Sequence, residues 1–226
     1  MMSAELFTRA FPVVLDGLWM TVLLTVASFV LGQIVALPLA LLRDCSNKFY
    51  RKLSGAFVFI ERGSPLLIQL FIIYYGLASV PFIQESFFWP VLREPMYAAI
   101  LAIGLNSAAY TCEVVRGAIK DISKGQHEAA MAVGLSNFIT YRKIILPQAY
   151  RNILPVIGNE AILVLKATSI VSTVTLMDMT GIAKSFAAKT YAPFEVLIIA
   201  GAFYLLLAWL LSRGFRFISK KVELPS

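Results

Sequence analysis

Several polar and charged side chains fall inside long apolar stretches of the sequence, where a charge is costly unless it has a role. Asn106, Tyr110 and Glu113 are spaced four and three residues apart, so they share one face of a helix. Glu160 and Lys166 interrupt a later apolar stretch. Such side chains can line a solute path or contact a polar substrate. The alternative is hydrogen bonding between helices that only holds a bundle together.

Two hydroxyl side chains extend this set of candidate path residues. Thr173 follows Lys166 by seven residues and shares its helical stripe, and Ser169 lies beside that stripe. A cationic substrate would be attracted by Glu113 and Glu160 but repelled by Lys166, unless Lys166 binds a substrate carboxylate or is neutralised by an acidic neighbour. Charge alone therefore leaves the substrate open.

The sequence carries no pattern typical of catalysis or metal binding. His127 is the lone histidine, and no second His or Cys stands at metal-ligand spacing from it. No stretch has the G-x4-G-K-[S/T] pattern of a phosphate-binding loop. We therefore predict no catalytic residue, no metal site and no ATP site in this chain.

Membrane-spanning helices are the elements that must position the candidate residues. The chain is 59% apolar and 15% charged, whereas soluble domains are about half apolar and about a quarter charged. This composition excludes a soluble or disordered protein. Since about 20 apolar residues cross a bilayer, we predict an all-α polytopic protein, a single domain over residues 1–226. The five predicted transmembrane helices are at about 15–42, 57–80, 95–115, 153–177 and 194–213.

The distribution of Lys and Arg predicts the orientation, because basic residues are retained on the cytoplasmic side. Most of the 20 basic residues lie after the first, third and fifth spans. The N-terminus is then periplasmic and the C-terminus cytoplasmic. The net charge of +7 follows from this topology, so it does not indicate nucleic-acid binding.

The cytoplasmic segment 117–152 is too long for a simple turn and contains several helix boundary signals. Ser123 can cap a short helix, and Gly134 suits the left-handed conformation that ends one. Ser136 can cap a second helix, which we expect to end before Pro147. The pattern predicts a helical elbow.

This elbow resembles the EAA loop, EAA-x3-G-x9-I-x-LP, of permease subunits of bacterial ABC importers. The matching residues are Glu128, Ala129, Ala130, Gly134, Ile144, Leu146 and Pro147. Residues 61–77, ERGSPLLIQLFIIYYGL, and 105–119, LNSAAYTCEVVRGAI, resemble the polar amino-acid branch of these permeases. Residues 159–169, NEAILVLKATS, with TYAPF at 190–194, are similar to the M-type permease of the histidine, lysine, arginine, ornithine and opine importers.

The resemblance implies the type I importer permease fold and a bacterial inner-membrane location. It also implies three kinds of partner: a homologous sister permease forming a heterodimer, two ATPase subunits that bind ATP and Mg, and a periplasmic substrate-binding protein. The elbow would be the coupling helix that docks on the ATPase, with Arg142 and Lys143 nearby as contacts. Polar amino acids, basic ones or opines, would be carried by ATP-driven alternating access.

An interrupted helix is predicted near the cytoplasmic face, where the second span begins. Its residues are Arg62, Gly63, Ser64 and Pro65. Proline cannot donate a backbone hydrogen bond and disfavours helix in the residue before it. We predict a kink here that could form part of a gate.

Two other functions remain open at this stage. An ion-gradient-driven secondary transporter or channel would use intramembrane Glu and Lys residues as ion sites, but it has no use for an EAA elbow. Alternatively, the chain could be an assembly partner while its sister permease holds the substrate.

Overall fold

The computed structural model describes residues 4–222, which form helices joined by short connections. The α-helices in chain order are α1 (Ala4–Leu15), α2 (Leu18–Arg43), α3 (Lys48–Gly63), α4 (Leu66–Phe71), α5 (Pro81–Gln84), α6 (Trp89–Leu92), α7 (Pro95–Asp121), α8 (Lys124–Ala132), α9 (Asn137–Thr140), α10 (Leu146–Ala167), α11 (Met179–Thr190) and α12 (Pro193–Val222). The π-helical turns Ile72–Gly76 and Tyr141–Ile145 continue α4 and α9. The all-α prediction is confirmed.

Up to five membrane spans are present among the described residues. Four stretches are long and apolar enough to cross a membrane alone: Glu5–Arg43, Pro95–Asp121, Asn137–Val174 and Pro193–Val222. A fifth is formed by α3 together with Leu66–Ser79, two helical pieces that meet at a bend of 108°. Each predicted span overlaps one of these stretches.

Helices α2 and α7 form the centre of the bundle, because glycines let their backbones approach closely. A Cβ added at Gly32 would lie 2.9 Å from Ser107 Oγ, and one at Gly104 would lie 2.8 Å from Leu31 Cδ2. A side chain at either position would force neighbouring atoms to shift. Small residues at such crossings are typical of membrane helix packing. This contact fixes α7, which carries several of the candidate path residues.

The bend between α3 and α4 occurs at the residues predicted to form a kink. Ser64 has extended backbone angles, as expected for the residue before Pro65. Gln69 is buried in α4, and its side-chain amide donates to the Glu61 carbonyl at 2.7 Å and to Ser64 Oγ at 2.9 Å. The Asn106 amide of α7 donates to the same carbonyl at 2.9 Å. These hydrogen bonds satisfy backbone groups that the bend removes from a helix.

The expectation that Pro147 ends a helix is wrong. Helices α9 and α10 form one continuous stretch, and Pro147 is the second residue of α10. The turn before it, Tyr141–Ile145, is π-helical. Wider π-helical bonding accommodates a residue that lacks an N–H and would clash with the preceding turn of a regular α-helix.

Candidate functional site: an exposed elbow and two polar cavities

The elbow begins and ends with well-formed caps. Ser123 Oγ accepts a hydrogen bond from the Gly125 N–H at the start of α8. At its end Gly134 adopts φ +76°, the left-handed conformation expected for this residue. The Leu135 N–H donates to the Ala130 carbonyl, and the Gly134 N–H donates to the Met131 carbonyl, each at 3.0 Å. This is the Schellman pattern, which gives the elbow a fixed shape.

One side of the elbow faces the protein and the other is bare. Ala130 is 2% exposed, whereas Glu128 and Ala129 are exposed. Large apolar side chains beyond the predicted motif are also exposed. They are Met131, Val133 and Phe138, at 63%, 73% and 71%. We call these three side chains the apolar knob. Exposed apolar side chains grouped on one projection are typical of a protein docking surface.

The base of the elbow anchors it to the bundle. The His127 ring of α8 contacts the Tyr141 ring edge to face, with centroids 5.8 Å apart. Ile144 and Leu146 are half-buried, and Ile144 packs against the core beside α2 and α7. Arg142, Lys143 and Pro147 are exposed. The elbow therefore presents its cations and its apolar knob outward while aliphatic side chains hold it in place.

A polar cavity of about 240 Å³ lies among α4, α7 and α10. Its lining residues are Leu66, Ile103, Asn106, Ser107, Tyr110, Glu160, Leu163, Val164 and Ala167. Among residues 4–222, Glu160 is the single carboxylate in this lining, and no Lys or Arg contributes to it. Ser107 Oγ donates a hydrogen bond to Glu160 Oε1 at 2.9 Å. We call this space the Glu160 cavity.

Asn106 has two roles at this cavity. It lines the cavity, and its side-chain amide donates to the Gln69 side-chain carbonyl at 3.0 Å as well as to the Glu61 carbonyl. The side chain therefore links α7 to the bend between α3 and α4. Asn106 thus bonds two helices together and also lines a cavity.

Glu113 lies in an ion-pair network at the end of α7. Arg43 Nε donates to Glu113 Oε1 at 2.9 Å, and Arg116 Nη2 donates to Oε2 at 2.7 Å. Arg116 and Lys120 also approach Asp44 Oδ1, at 3.7 and 3.0 Å. The network joins the end of α2 to the last turns of α7, just before the elbow begins.

A second cavity of about 390 Å³ lies between this network and α3. It is lined by Arg43, Gly55, Val58, Phe59, Arg62, Gly63, Tyr110 and Glu113. Tyr110 lines both cavities, and the Arg62 guanidinium carbon lies 5.1 Å from the centroid of its ring. We call this space the arginine cavity. Of the predicted kink residues, Arg62 and Gly63 face it, while Ser64 and Pro65 form the bend.

Three candidate path residues lie away from both cavities. Lys166 is exposed on α10, and it makes no ion pair with any described residue. Ser169 Oγ and Thr173 Oγ1 donate to the backbone carbonyls of Lys166 and Ile170. Their hydroxyl groups therefore satisfy the local helical backbone, and neither faces the Glu160 cavity.

Several residues of the site were not predicted from the sequence. Ser107 and Gln69 contact predicted residues directly, and Arg43 pairs with Glu113. Gln69 gave a usable signal, because it is a polar residue in the middle of an apolar run. The apolar knob gave none, since its residue types are equally common in a buried helix.

Metal binding has no support among residues 4–222. No group of three or more His, Cys, Asp or Glu side chains there could hold a metal ion. The carboxylates of the site instead contact hydroxyl groups or arginines.

Comparison with known proteins identifies close relatives over nearly the whole chain. Residues 28–224 match the family described as binding-protein-dependent transport system inner membrane component. The nopaline transport system permease protein NocM of Agrobacterium fabrum is 44% identical over 213 residues, covering 94% of this chain and 88% of NocM. The histidine/lysine/arginine/ornithine transport system permease protein HisM of Escherichia coli is 38% identical over 206 residues, covering 91% and 87% of the two chains.

The fold comparison agrees with the sequence comparison. A crystal structure of an amino acid ABC transporter with histidines matches with a TM-score of 0.84 and 32% identity, covering 98% of this chain and 99% of the other. The predicted polytopic fold and the predicted resemblance are confirmed. An ion-gradient-driven transporter is excluded, because the matched family serves binding-protein-dependent transport. The chain belongs to this family as a multi-pass inner-membrane protein, the non-catalytic permease component of an ABC importer.

Proposed function

We propose that this permease carries cationic amino acids or opines, and that Glu160 contacts the substrate cation. The supporting observation is the composition of the Glu160 cavity, to which the described part of the chain contributes one carboxylate and no basic side chain. A guanidinium or ammonium group entering it would meet an acceptor already oriented by the Ser107 hydroxyl. The names of the relatives, which transport nopaline or basic amino acids, agree with this class.

The substrate passes from the Glu160 cavity toward the arginine cavity, and Tyr110 with Arg62 separates the two. Alternating access then requires that the bend between α3 and α4 move relative to α7. The contact between Arg62 and Tyr110 is a cation–π interaction, so it can open without breaking a covalent bond or an ion pair. Arg62, Gly63, Ser64 and Pro65 form the moving part of this gate.

Transport is powered by partner subunits. A homologous sister permease forms a heterodimer with this chain, two ATPase subunits bind ATP and Mg, and a periplasmic protein delivers the substrate. The apolar knob, with Glu128, Ala129, Arg142 and Lys143, docks on the ATPase. The N-terminus is periplasmic and the C-terminus cytoplasmic, since the elbow and the basic end of α12 must face the ATPase side.

The test is ATP hydrolysis by the co-purified importer in lipid, measured with its binding protein and a panel of basic, acidic, neutral and opine ligands. Stimulation by basic ligands or opines, and by no other class, is expected. A neutral or acidic ligand that stimulates best would overturn the substrate class. Absence of an accompanying ATPase would overturn the proposed assembly.

Two matched variants test the role of Glu160. Glu160→Gln should lower uptake of the preferred cationic ligand at least tenfold, because the amide keeps the shape but loses the charge. Glu94→Gln removes the same charge from an exposed side chain outside both cavities and should leave uptake unchanged. Equal uptake by Glu160→Gln and the wild type would assign the substrate contact to the sister permease.

A further inference from the structure

A basic crevice outside both polar cavities lies between α10 and α12. It has a volume of about 340 Å³. Its lining residues are Pro155, Gly158, Asn159, Ile162, Ser212, Phe215, Arg216, Ser219 and Lys220. Gly158 brings the two helices together, since a Cβ there would lie 2.7 Å from Phe215 Cβ. The crevice opens beside this contact.

Within the described residues 4–222, the crevice is lined by two cations and by no carboxylate. Arg216 Nε donates to the Ser212 carbonyl at 3.3 Å, which leaves the rest of its guanidinium available. Neither Arg216 nor Lys220 forms an ion pair with any residue in the described range 4–222. The Asn159 amide adds a further polar group to the lining. This combination of donors suits an anion with several oxygen atoms, such as a phosphate group.

The other two cations at this end of α12 are arranged differently. The Arg213 guanidinium lies 5.3 Å from the centroid of the Trp209 ring, and Lys221 Nζ lies 4.5 Å from that of Phe217. Neither Arg213 nor Lys221 lines the crevice. The four neighbouring cations therefore form two pairs, one facing the crevice and one stacked on aromatic rings.

An apolar groove of about 320 Å³ adjoins the crevice at Phe215, which lines both spaces. Its lining residues are Val22, Thr25, Val26, Leu165, Leu207, Leu210, Leu211, Gly214, Phe215 and Ile218. The groove lies along the last apolar turns of α12. The cations of the crevice lie just beyond it, where the sequence of α12 becomes polar. This order matches the acyl chain and the headgroup of a lipid.

The crevice is separate from the proposed solute path. On α10 the crevice is lined by Pro155, Gly158, Asn159 and Ile162, whereas the Glu160 cavity is lined by Glu160, Leu163, Val164 and Ala167. Helical geometry puts these two sets on different flanks of the helix. An occupant of the crevice would therefore lie beside the permease rather than in the path.

We propose that the crevice binds the phosphate of an anionic phospholipid through Arg216 and Lys220, with an acyl chain in the adjoining groove. Basic pockets between membrane helices near the headgroup level recognise anionic lipids in this way. The inference is independent of the proposed substrate, because none of its residues lines the Glu160 cavity.

The test compares lipid retention by full-length protein, purified with its accompanying subunits, in nanodiscs of phosphatidylcholine with phosphatidylglycerol. The double variant Arg216→Gln/Lys220→Gln should lower phosphatidylglycerol affinity by roughly tenfold or more, because two direct charge-assisted contacts to the lipid phosphate are lost. Arg213→Gln/Lys221→Gln removes the same charge from the same helix end and should change affinity less than threefold. Equal losses in the two double variants would overturn the proposal, because they would indicate only general surface attraction.

A second measurement uses the wild-type protein and needs no variant to fold. Phosphatidylglycerol should protect the Lys220 amine from an amine-reactive label at least fivefold more than the adjacent Lys221 amine, relative to pure phosphatidylcholine. Equal protection would contradict the crevice. Inorganic phosphate in phosphatidylcholine nanodiscs should give no such selective protection. If it protects Lys220 as well as the lipid does, the site binds a free anion and the lipid proposal is wrong.

Discussion

The guanidinium of Arg62 stacks on the ring of Tyr110, 5.1 Å from its centroid, where the Glu160 cavity and the arginine cavity meet. Arg62 belongs to the end of α3 and Tyr110 to α7, so the contact spans the bend and the centre of the bundle. A cation over an aromatic face contributes about 0.5–1 kcal/mol at a partly exposed site. A contact of this strength can close the passage between the two cavities and can also break readily when the passage opens.

Removing the Tyr110 ring should uncouple hydrolysis from transport. Tyr110→Ala should join the two cavities, so we expect transport per ATP hydrolysed to fall about two- to fivefold, the range that corresponds to a lost cation–π contact. Tyr110→Phe keeps the ring and the contact and should remain within about twofold of the wild type. This ratio is obtained by measuring substrate uptake and ATP hydrolysis together in proteoliposomes. Unchanged coupling in Tyr110→Ala would show that the ring is no barrier.

The pairing of Glu113 with Arg43 should contribute to stability rather than to substrate selection. Glu113→Gln weakens two charge-assisted hydrogen bonds at a partly buried site, so we expect the free energy of unfolding to fall by roughly 1–2 kcal/mol. Denaturant titration in detergent measures this change. Ligand preference in the ATPase assay should stay the same.

A double-mutant cycle separates this pair from independent effects. Arg43→Gln and Glu113→Gln should together cost less than the sum of the two single changes, because both remove the same contact. Additive losses would contradict direct coupling between the two side chains. A changed ligand preference would assign Glu113 a role in substrate selection.

The sequence predicted local structure well where one residue type has one physical reason. Gly134 was expected in a left-handed conformation because other residues adopt it poorly, and its φ is +76°. Pro65 was expected at a kink for an equally local reason, and the chain bends there by 108°. Pro147 was predicted wrongly because its effect depends on the π-helical turn before it, and no residue type predicts such a turn.

The contacts between residues of different helices could not be predicted from the sequence. The spacing of Asn106, Tyr110 and Glu113 predicts one shared helical face, but in the structure the three side chains meet three different neighbours. Asn106 meets the α3–α4 bend, Tyr110 meets Arg62, and Glu113 meets Arg43. These contacts join residues more than 30 positions apart, and periodicity on one helix carries no information about them.

Gln69 should be needed to hold the bend between α3 and α4. Gln69→Leu has a similar volume but leaves the Glu61 carbonyl, Ser64 and the Asn106 amide with fewer partners. We expect a loss of about 1–3 kcal/mol in the free energy of unfolding. Gln84→Leu is the control, because its side chain makes a single exposed hydrogen bond, and it should cost under about 0.5 kcal/mol. Equal stability of the two variants would mean that the bend forms without Gln69.

The positive φ of Gly134 should be required for coupling to the ATPase. Gly134→Ala introduces a Cβ in a left-handed conformation at a cost of about 1 kcal/mol, so the end of α8 should fray and the apolar knob should lose its position. We expect weaker retention of the ATPase on affinity purification and lower transport. Gly134→Asn should be milder because asparagine tolerates this conformation, and Gly201→Ala, in open space on α12, should have no effect. If Gly134→Ala retains the ATPase as well as Gly201→Ala does, docking does not depend on the shape that Gly134 gives the elbow.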